Sequence, residues 1–261
     1  MARLPETLLP PSSLQYIPIP DGSDLSHLVH SILSLPAAQA AQTIPLLPDN
    51  HTLLLFPGSG AALFCPPHST PLSIPLEAGC PLYAVRLHCG CGDWIQNADF
   101  SATNGHVLPL EPLLPGSDRL GQVLALCTSL PEKNTRFMRF AALHGGRSYQ
   151  SSPLLRQCLS LIAERNGQVR ISELAEHTGC SERHLNRLMH QKVGLSTKTV
   201  CQLTQLHHSL QVIWTSPSRS LLHLAVNCGY FDQAHMNRQY RQFLCCSAGD
   251  MRRLLEEHHS S

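Results

Sequence analysis

Charge is scarce in this sequence: Asp, Glu, Lys and Arg make up 14% of the 261 residues, and aromatic side chains only 5%. A disordered or polyelectrolyte chain is excluded, because 43% of the residues are apolar and supply material for a core. No apolar run reaches 18 residues, so no membrane span or membrane partner is expected. The opening residues, MARLPETLLPPSS, hold one Arg and no long apolar stretch before their prolines. That is not the pattern of an export signal, and the cytoplasm is the expected compartment. Nucleophile elbows, phosphate loops and HExxH are all missing, and Glu77, Asp93, Asp99 and Glu111 show no motif spacing. Nothing argues for an enzyme.

Cysteine is plentiful, with 11 residues, but the spacings that give it a role are lacking. Cys89-Gly-Cys91 and Cys245-Cys246 have neither the gap of a zinc knuckle nor that of a redox loop. His207-His208 and His258-His259 are adjacent pairs and not the i,i+4 pairs that converge on a metal. No metal or cofactor is expected, and the cysteines read as free thiols acting as small hydrophobes.

Proline is nearly absent from the second half. Of 20 prolines, 17 lie in residues 1–115, and only Pro217 follows Pro153. Each proline removes a donor and clashes with the preceding turn, so long helices are confined to the C-terminal half. Charge divides at the same place. Residues 153–261 hold 12 Arg and Lys against 8 Asp and Glu, and residues 1–152 hold 7 against 10. Two domains are expected, making an α+β chain: a mainly-β domain over 1–130, a linker over 131–153 ending in GGRSYQSSP, and an all-α domain over 154–256. In the first, HTLLLF (51–56), AALFC (61–65) and LYAVRLHC (82–89) are apolar runs between turn residues, as in a small antiparallel sheet or barrel. DRLGQVLALCTSL (118–130) has helical spacing.

The C-terminal half repeats one theme. Leu155, Leu159 and Ile162 form a helical stripe that stops before Asn166-Gly167. ISELAEHTG is followed by Ser181, a good N-cap, and by SERHLNRLMHQ with Leu185, Leu188 and Met189 as its apolar line. Two short helices around a Gly-containing turn make a helix-turn-helix pattern. A long helix from Thr197 to Trp214 ends before Pro217, and the theme returns. Leu174-Ala175…Gly179 is matched by Leu224-Ala225…Gly229, and residues 232–243 form a second polar helix with Met236, Tyr240 and Phe243 inward.

Two such units bridged by one helix resemble the DNA-binding domain of AraC/XylS-family bacterial transcription regulators. The resemblance covers roughly residues 155–253 and rests on LAEHTGCSERHLNRLMHQKVGLS and LAVNCGYFDQAHMNRQYRQFLCCSAGDMRR. Ala225, Gly229, Tyr230, Asp232, Gln233, Arg238, Tyr240, Arg241, Ser247 and Arg252 fall on the family's pattern. The departures are Cys245 for a Gly, Ala248 for a Pro, Met251 for a Tyr and Phe231 for a capping Ser or Thr. Gln205-Leu206-His207-His208-Ser209 stands where Arg-Leu-x-x-Ala is usual. These changes weaken the expected turn chemistry of the second unit.

A reading helix presents donors and acceptors to base edges: Arg suits guanine, Asn and Gln suit adenine, and an apolar group suits the thymine methyl. On the first unit Arg183, Asn186, Arg187 and His190 make such a face. On the second, Gln233, Asn237 and Arg241 share one row and Ala234 and Arg238 the next. Arg187 and Arg238 are expected on bases or phosphates. Asn186, Asn237 and Gln233 are balanced between base contact and plain surface, and Arg241 and Lys192 are expected on phosphates. The resemblance implies double-stranded promoter DNA and RNA polymerase as partners, and activation more than repression. It leaves the N-terminal domain to bind a small-molecule effector or to pair subunits as a homodimer. Two other readings stand beside it: an Ada-like alkyl-transfer enzyme, with His88-Cys89-Gly-Cys91 as its candidate thiol, and a regulator controlled by a protein partner.

Overall fold

The computed structural model describes residues 15–18, 25–95, 100, 103 and 106–259. Eight short strands come first: β1 Gln15–Pro18, β2 Val29–Leu35, β3 Gln42–Leu46, β4 Leu53–Pro57, β5 Leu63–Cys65, β6 Leu72–Leu76, β7 Leu82–Leu87 and β8 Leu108–Pro109. Six pair antiparallel in the order β1-β2-β7-β4-β5-β8, and β3 and β6 form a separate two-stranded ribbon. The prolines of this half do not prevent pairing. Pro45 and Pro75 lie on the ribbon, where each strand has a free edge that tolerates a missing donor.

The unbroken apolar run of β4 has a simple cause. Successive side chains point to opposite faces, and both faces of this strand are covered. Leu54 and Phe56 join a core with Ile32, Phe64, Val85, Phe137 and Ala141, whereas Leu53 and Leu55 join another with Ile44, Ile74 and Leu82. The first core is roofed by two helices, α1 Ser117–Leu126 and α2 Leu130–Leu143. The second is closed by the ribbon.

Helix α2 corrects the expected linker over 131–153. Ser129 caps it by accepting from the Glu132 N–H, Pro131 sits in the first turn where its missing donor is harmless, and Phe137 and Ala141 are buried against the sheet. The N-terminal domain therefore runs past residue 130, and only residues 144–152 connect it to the helices that follow.

Seven further helices follow among the described residues: α3 Pro153–Glu164, α4 Ile171–Thr178, α5 Glu182–Val193, α6 Thr197–Thr215, α7 Leu221–Asn227, α8 Gln233–Leu244 and α9 Ala248–His259. Leu155 and Ile162 of α3 pack with Leu174, Leu185, Met189 and Val193 around Val200 and Cys201 of α6. Further along the same helix, Leu203, Leu206 and Ile213 pack with Leu224, Met236, Tyr240 and Phe243. One helix thus serves two small cores. Its 19 residues span about 28 Å at 1.5 Å per residue. Among the described residues no helix is long and apolar enough to cross a membrane.

Candidate nucleic-acid interface

Each of the two small cores carries an exposed helix, and the two are built alike. In the first unit α4 ends at Gly179, whose φ of 66° lies in the left-handed region, and Ser181 caps α5 by accepting from the His184 N–H at 3.2 Å. In the second, α7 leads to Gly229 with φ 75°, and Asp232 caps α8 by accepting from the His235 N–H at 2.5 Å. The missing Ser or Thr at Phe231 is therefore no defect, because Asp232 does the capping one residue later. The helices also end alike. Gly194 closes α5 with φ 81°, and Cys245 closes α8 with φ 59°. Cys245 holds a left-handed conformation that suits glycine better. The turn is preserved at a strain.

On α5, Arg183, Asn186, Arg187 and His190 are all exposed on one face. On α8, Ala234, Arg238 and Arg241 are exposed, while Gln233 and Asn237 are half-buried. The predicted rows thus come together on the outer surface of each unit. Beneath α8, the buried Gln239 donates to the Gln202 carbonyl at 2.9 Å, and Gln205 donates to the Cys228 carbonyl at 2.9 Å. The Tyr240 hydroxyl lies 2.8 Å from Ser209 Oγ. The bonds of Gln239 and Tyr240 fix α8 to α6, and that of Gln205 fixes the end of α7 to the same helix.

Two residues have a role that sequence spacing did not show. Asn186 Oδ1 accepts the Thr197 N–H, and Asn237 Oδ1 accepts the Ala248 N–H, both at 3.1 Å and both from a residue 11 positions on. Those N–H groups open α6 and α9, where no intrahelical acceptor exists. Each asparagine thereby ties the second turn of its own helix to the start of the next helix. The signal in the sequence was the repeat itself: an Asn followed at the same distance by the residue after a Ser, in both units.

Lys192 departs from its expected place. It lies about two and a half helical turns beyond Arg183, hence on the far side of α5. Its ammonium donates to Asp93 Oδ2 of the N-terminal domain at 2.8 Å, and Asp93 Oδ1 accepts from the Tyr149 hydroxyl. It fastens one domain to the other and does not belong to the reading face.

Further contacts join the domains along α6. His207 Nε2 donates to the Pro48 carbonyl at 2.6 Å, and Asn50 Nδ2 donates to Thr204 Oγ1 at 3.0 Å. Beside them Asp49 is buried and accepts from Arg86 at 2.7 Å, with His51 Nδ1 at 2.9 Å. Burial pushes the Asp49 carboxyl up, but Arg86 and His51 outweigh it and hold the group well below the usual carboxylate range. Burial and the neighbouring Arg86 press His51 down to about 4; burial and His51 press His30 down to about 3. Both imidazoles are neutral at pH 7.

These groups line part of a cleft of about 830 Å³ between the domains. Its walls carry His27, His30, His88, Arg86, Arg147 and Arg156, and the Asp49 carboxylate that pairs with Arg86 lines the adjoining cavity. An apolar cavity of about 310 Å³, walled by leucines of the two sheets, adjoins at Arg86 and His207.

The cysteine chemistry of the alkyl-transfer reading finds no support in this geometry. Burial pushes the thiols of Cys89 and Cys91 up, the latter to about 12, so neither is a thiolate at neutral pH. Among the described residues, no group of three His, Cys, Asp or Glu side chains is placed to hold a metal ion.

Comparison with known proteins agrees with this architecture. Residues 174–254 match the sequence model of a helix-turn-helix domain family. No curated protein sequence matches the chain. Among solved structures, ToxT from Vibrio cholerae aligns with a TM-score of 0.50 at 8% identity, over 86% of this chain and 98% of that one. A second ToxT structure from Vibrio cholerae, bound to (E)-4-(8-methylnaphthalen-1-yl)but-3-enoic acid, gives 0.48 at 8% identity over 93% and 99%. The shared feature with the first is the fold: a β-rich domain followed by paired helix-turn-helix units. Residues 174–254 thus carry a helix-turn-helix domain, and the chain as a whole shares its fold with ToxT.

Proposed function

We propose that this chain is a DNA-binding transcription regulator of the AraC type that activates transcription by gripping two successive major grooves of promoter DNA, under control of a small acid bound between its domains. The observation that carries the DNA contact is the duplication of one exposed face, Arg183, Arg187 and His190 on α5 and Ala234, Arg238 and Arg241 on α8. Arginine and asparagine-type groups match base edges, and the basic residues also meet phosphates. Lys192, held by Asp93, is left out of that set.

Control through the cleft follows from its chemistry. The lining brings several guanidinium and imidazole groups together, of which Arg86 is paired with Asp49, and the adjoining cavity is walled mostly by apolar side chains. An anionic head with a hydrocarbon body suits that combination. Because the cleft lies between the N-terminal domain and α6, a ligand there acts on the helix that spaces the two reading heads.

The test is transcription by purified RNA polymerase from a promoter carrying the duplex this protein prefers, with a panel of small carboxylic acids. Transcript that rises with the protein, and an acid whose effect is lost in Arg156→Ala, are the expected results. Unchanged transcript under every condition refutes activation. An acid effect that persists in Arg156→Ala refutes this cleft as its site.

A further inference from the structure

The turn of the second unit is one residue longer than that of the first. Between Gly179 and the cap Ser181 stands only Cys180, whereas Tyr230 and Phe231 stand between Gly229 and the cap Asp232. Tyr230 is buried and its hydroxyl lies 3.3 Å from Ser209 Oγ. The extra residue is turned outward: Phe231 is 90% exposed, the most accessible large apolar side chain among the described residues.

This segment is fixed on both sides. The Phe231 N–H donates to His235 Nδ1 at 3.3 Å, the His235 ring stands edge-on to Tyr230 at 5.6 Å, and Asp232 holds the His235 N–H. The phenyl ring is thus presented at the N-terminal end of α8. Gln233 and the exposed Ala234 follow directly, with Arg238 one turn further on.

We propose that Phe231 is a base-reading residue that packs against the 5-methyl group of a thymine in the second half-site. The inference rests on the reading of α8 as a DNA-contacting helix. In a helix-turn-helix unit the N-terminal residues of the second helix reach the base edges. Thymine is the only base with an apolar group in the major groove, and apolar side chains recognise it there. Phe231 immediately precedes the cap of α8, whose Ala234 and Arg238 are also exposed, and this place at the N-terminal end of the helix favours DNA over a protein as the group that covers it. The first unit has no counterpart, because Ser181 occupies the cap and no residue is inserted. The two half-sites therefore differ in sequence, with the thymine on the side of α8.

The experiment begins with the duplex that the full-length protein recovers from a random pool. Each thymine in the half-site bound by α8 is then replaced by uracil, which removes the methyl and keeps the hydrogen-bonding edge. One replacement is expected to weaken binding about fourfold, the effect of a methyl-sized group. Phe231→Ser is expected to bind the thymine duplex more weakly by a similar factor and to lose the difference between thymine and uracil, and Phe231→Met to keep part of it. Because the ring is exposed, these variants should keep the wild-type circular dichroism. Equal binding to thymine and uracil by the wild type overturns the proposal while leaving DNA reading by α8 intact. So does a difference that survives in Phe231→Ser, which assigns the methyl to another side chain. A Phe231→Ser variant with unchanged DNA binding but lost contact with RNA polymerase overturns it in favour of a protein surface. If no duplex is recovered, the reading of α8 as a DNA helix fails, and the proposal with it.

Discussion

Replacing Asn186 or Asn237 by alanine and, separately, by aspartate distinguishes a structural asparagine from one that reads adenine. In the structure each Oδ1 accepts the first N–H of the following helix at 3.1 Å. Alanine leaves that N–H without its acceptor. The loss is comparable to that of an N-cap side chain, about 1 kcal/mol. For a helical domain of about 100 residues melting as its own unit, that lowers Tm by roughly 4–8 °C. Aspartate keeps the acceptor, places a negative charge at a helix N-terminus where it is favourable, and removes only the Nδ2 donors. Its Tm is therefore expected to stay at or near the wild-type value. Thermal unfolding followed by circular dichroism, with DNA binding measured in parallel, gives both readouts. The reasoning is refuted if alanine leaves Tm unchanged while recognition of one adenine is lost.

Four other outcomes are expected. Lys192→Met should leave the salt dependence of DNA binding unchanged, since its partner is Asp93; a slope shallower by about 0.9 would show that it meets a phosphate. Cys245→Gly should raise the stability of the second unit by about 1 kcal/mol, because φ at that residue is 59°; chemical denaturation showing a loss would contradict the strain argument. Arg187→Ala and Arg238→Ala should each cost about 1–3 kcal/mol on the preferred duplex if they read bases, and equal losses on all sequences would assign them to phosphates. Stability should also fall with acidification. His30 and His51 have folded pKa values of about 3 and about 4, below the unfolded value of about 6.5. The unfolded state therefore binds more protons between these limits, and stability is lost as pH drops below about 6.5, by up to about 1.4 kcal/mol per pH unit for each histidine. A pH series of unfolding midpoints checks this, and His51→Gln should flatten it.

Much of this architecture was legible in residue patterns. Leu174-Ala175…Gly179 and its echo Leu224-Ala225…Gly229 located both units, because small and apolar residues at those spacings are what a tight helix pair requires. The apolar runs 51–56, 61–65 and 82–89 coincide with β4, β5 and β7. Helix α2 was hidden by Pro131 and by the Gly and Ser residues of 145–152, although Phe137 and Ala141 keep helical spacing. Lys192 looked like a phosphate ligand because its partner Asp93 lies 99 residues earlier, beyond the reach of any local pattern. The cleft was equally invisible. Its histidines and arginines are scattered from His27 to His207 and meet only when the domains pack.

The most direct test of the account is selection of bound duplexes from a random pool by the full-length protein, at a stated salt concentration. Two reading heads on one helix predict a bipartite, non-palindromic motif with half-site centres about one helical turn, roughly 34 Å, apart. A single half-site, or no enriched motif at all, would contradict the claim that both units read DNA.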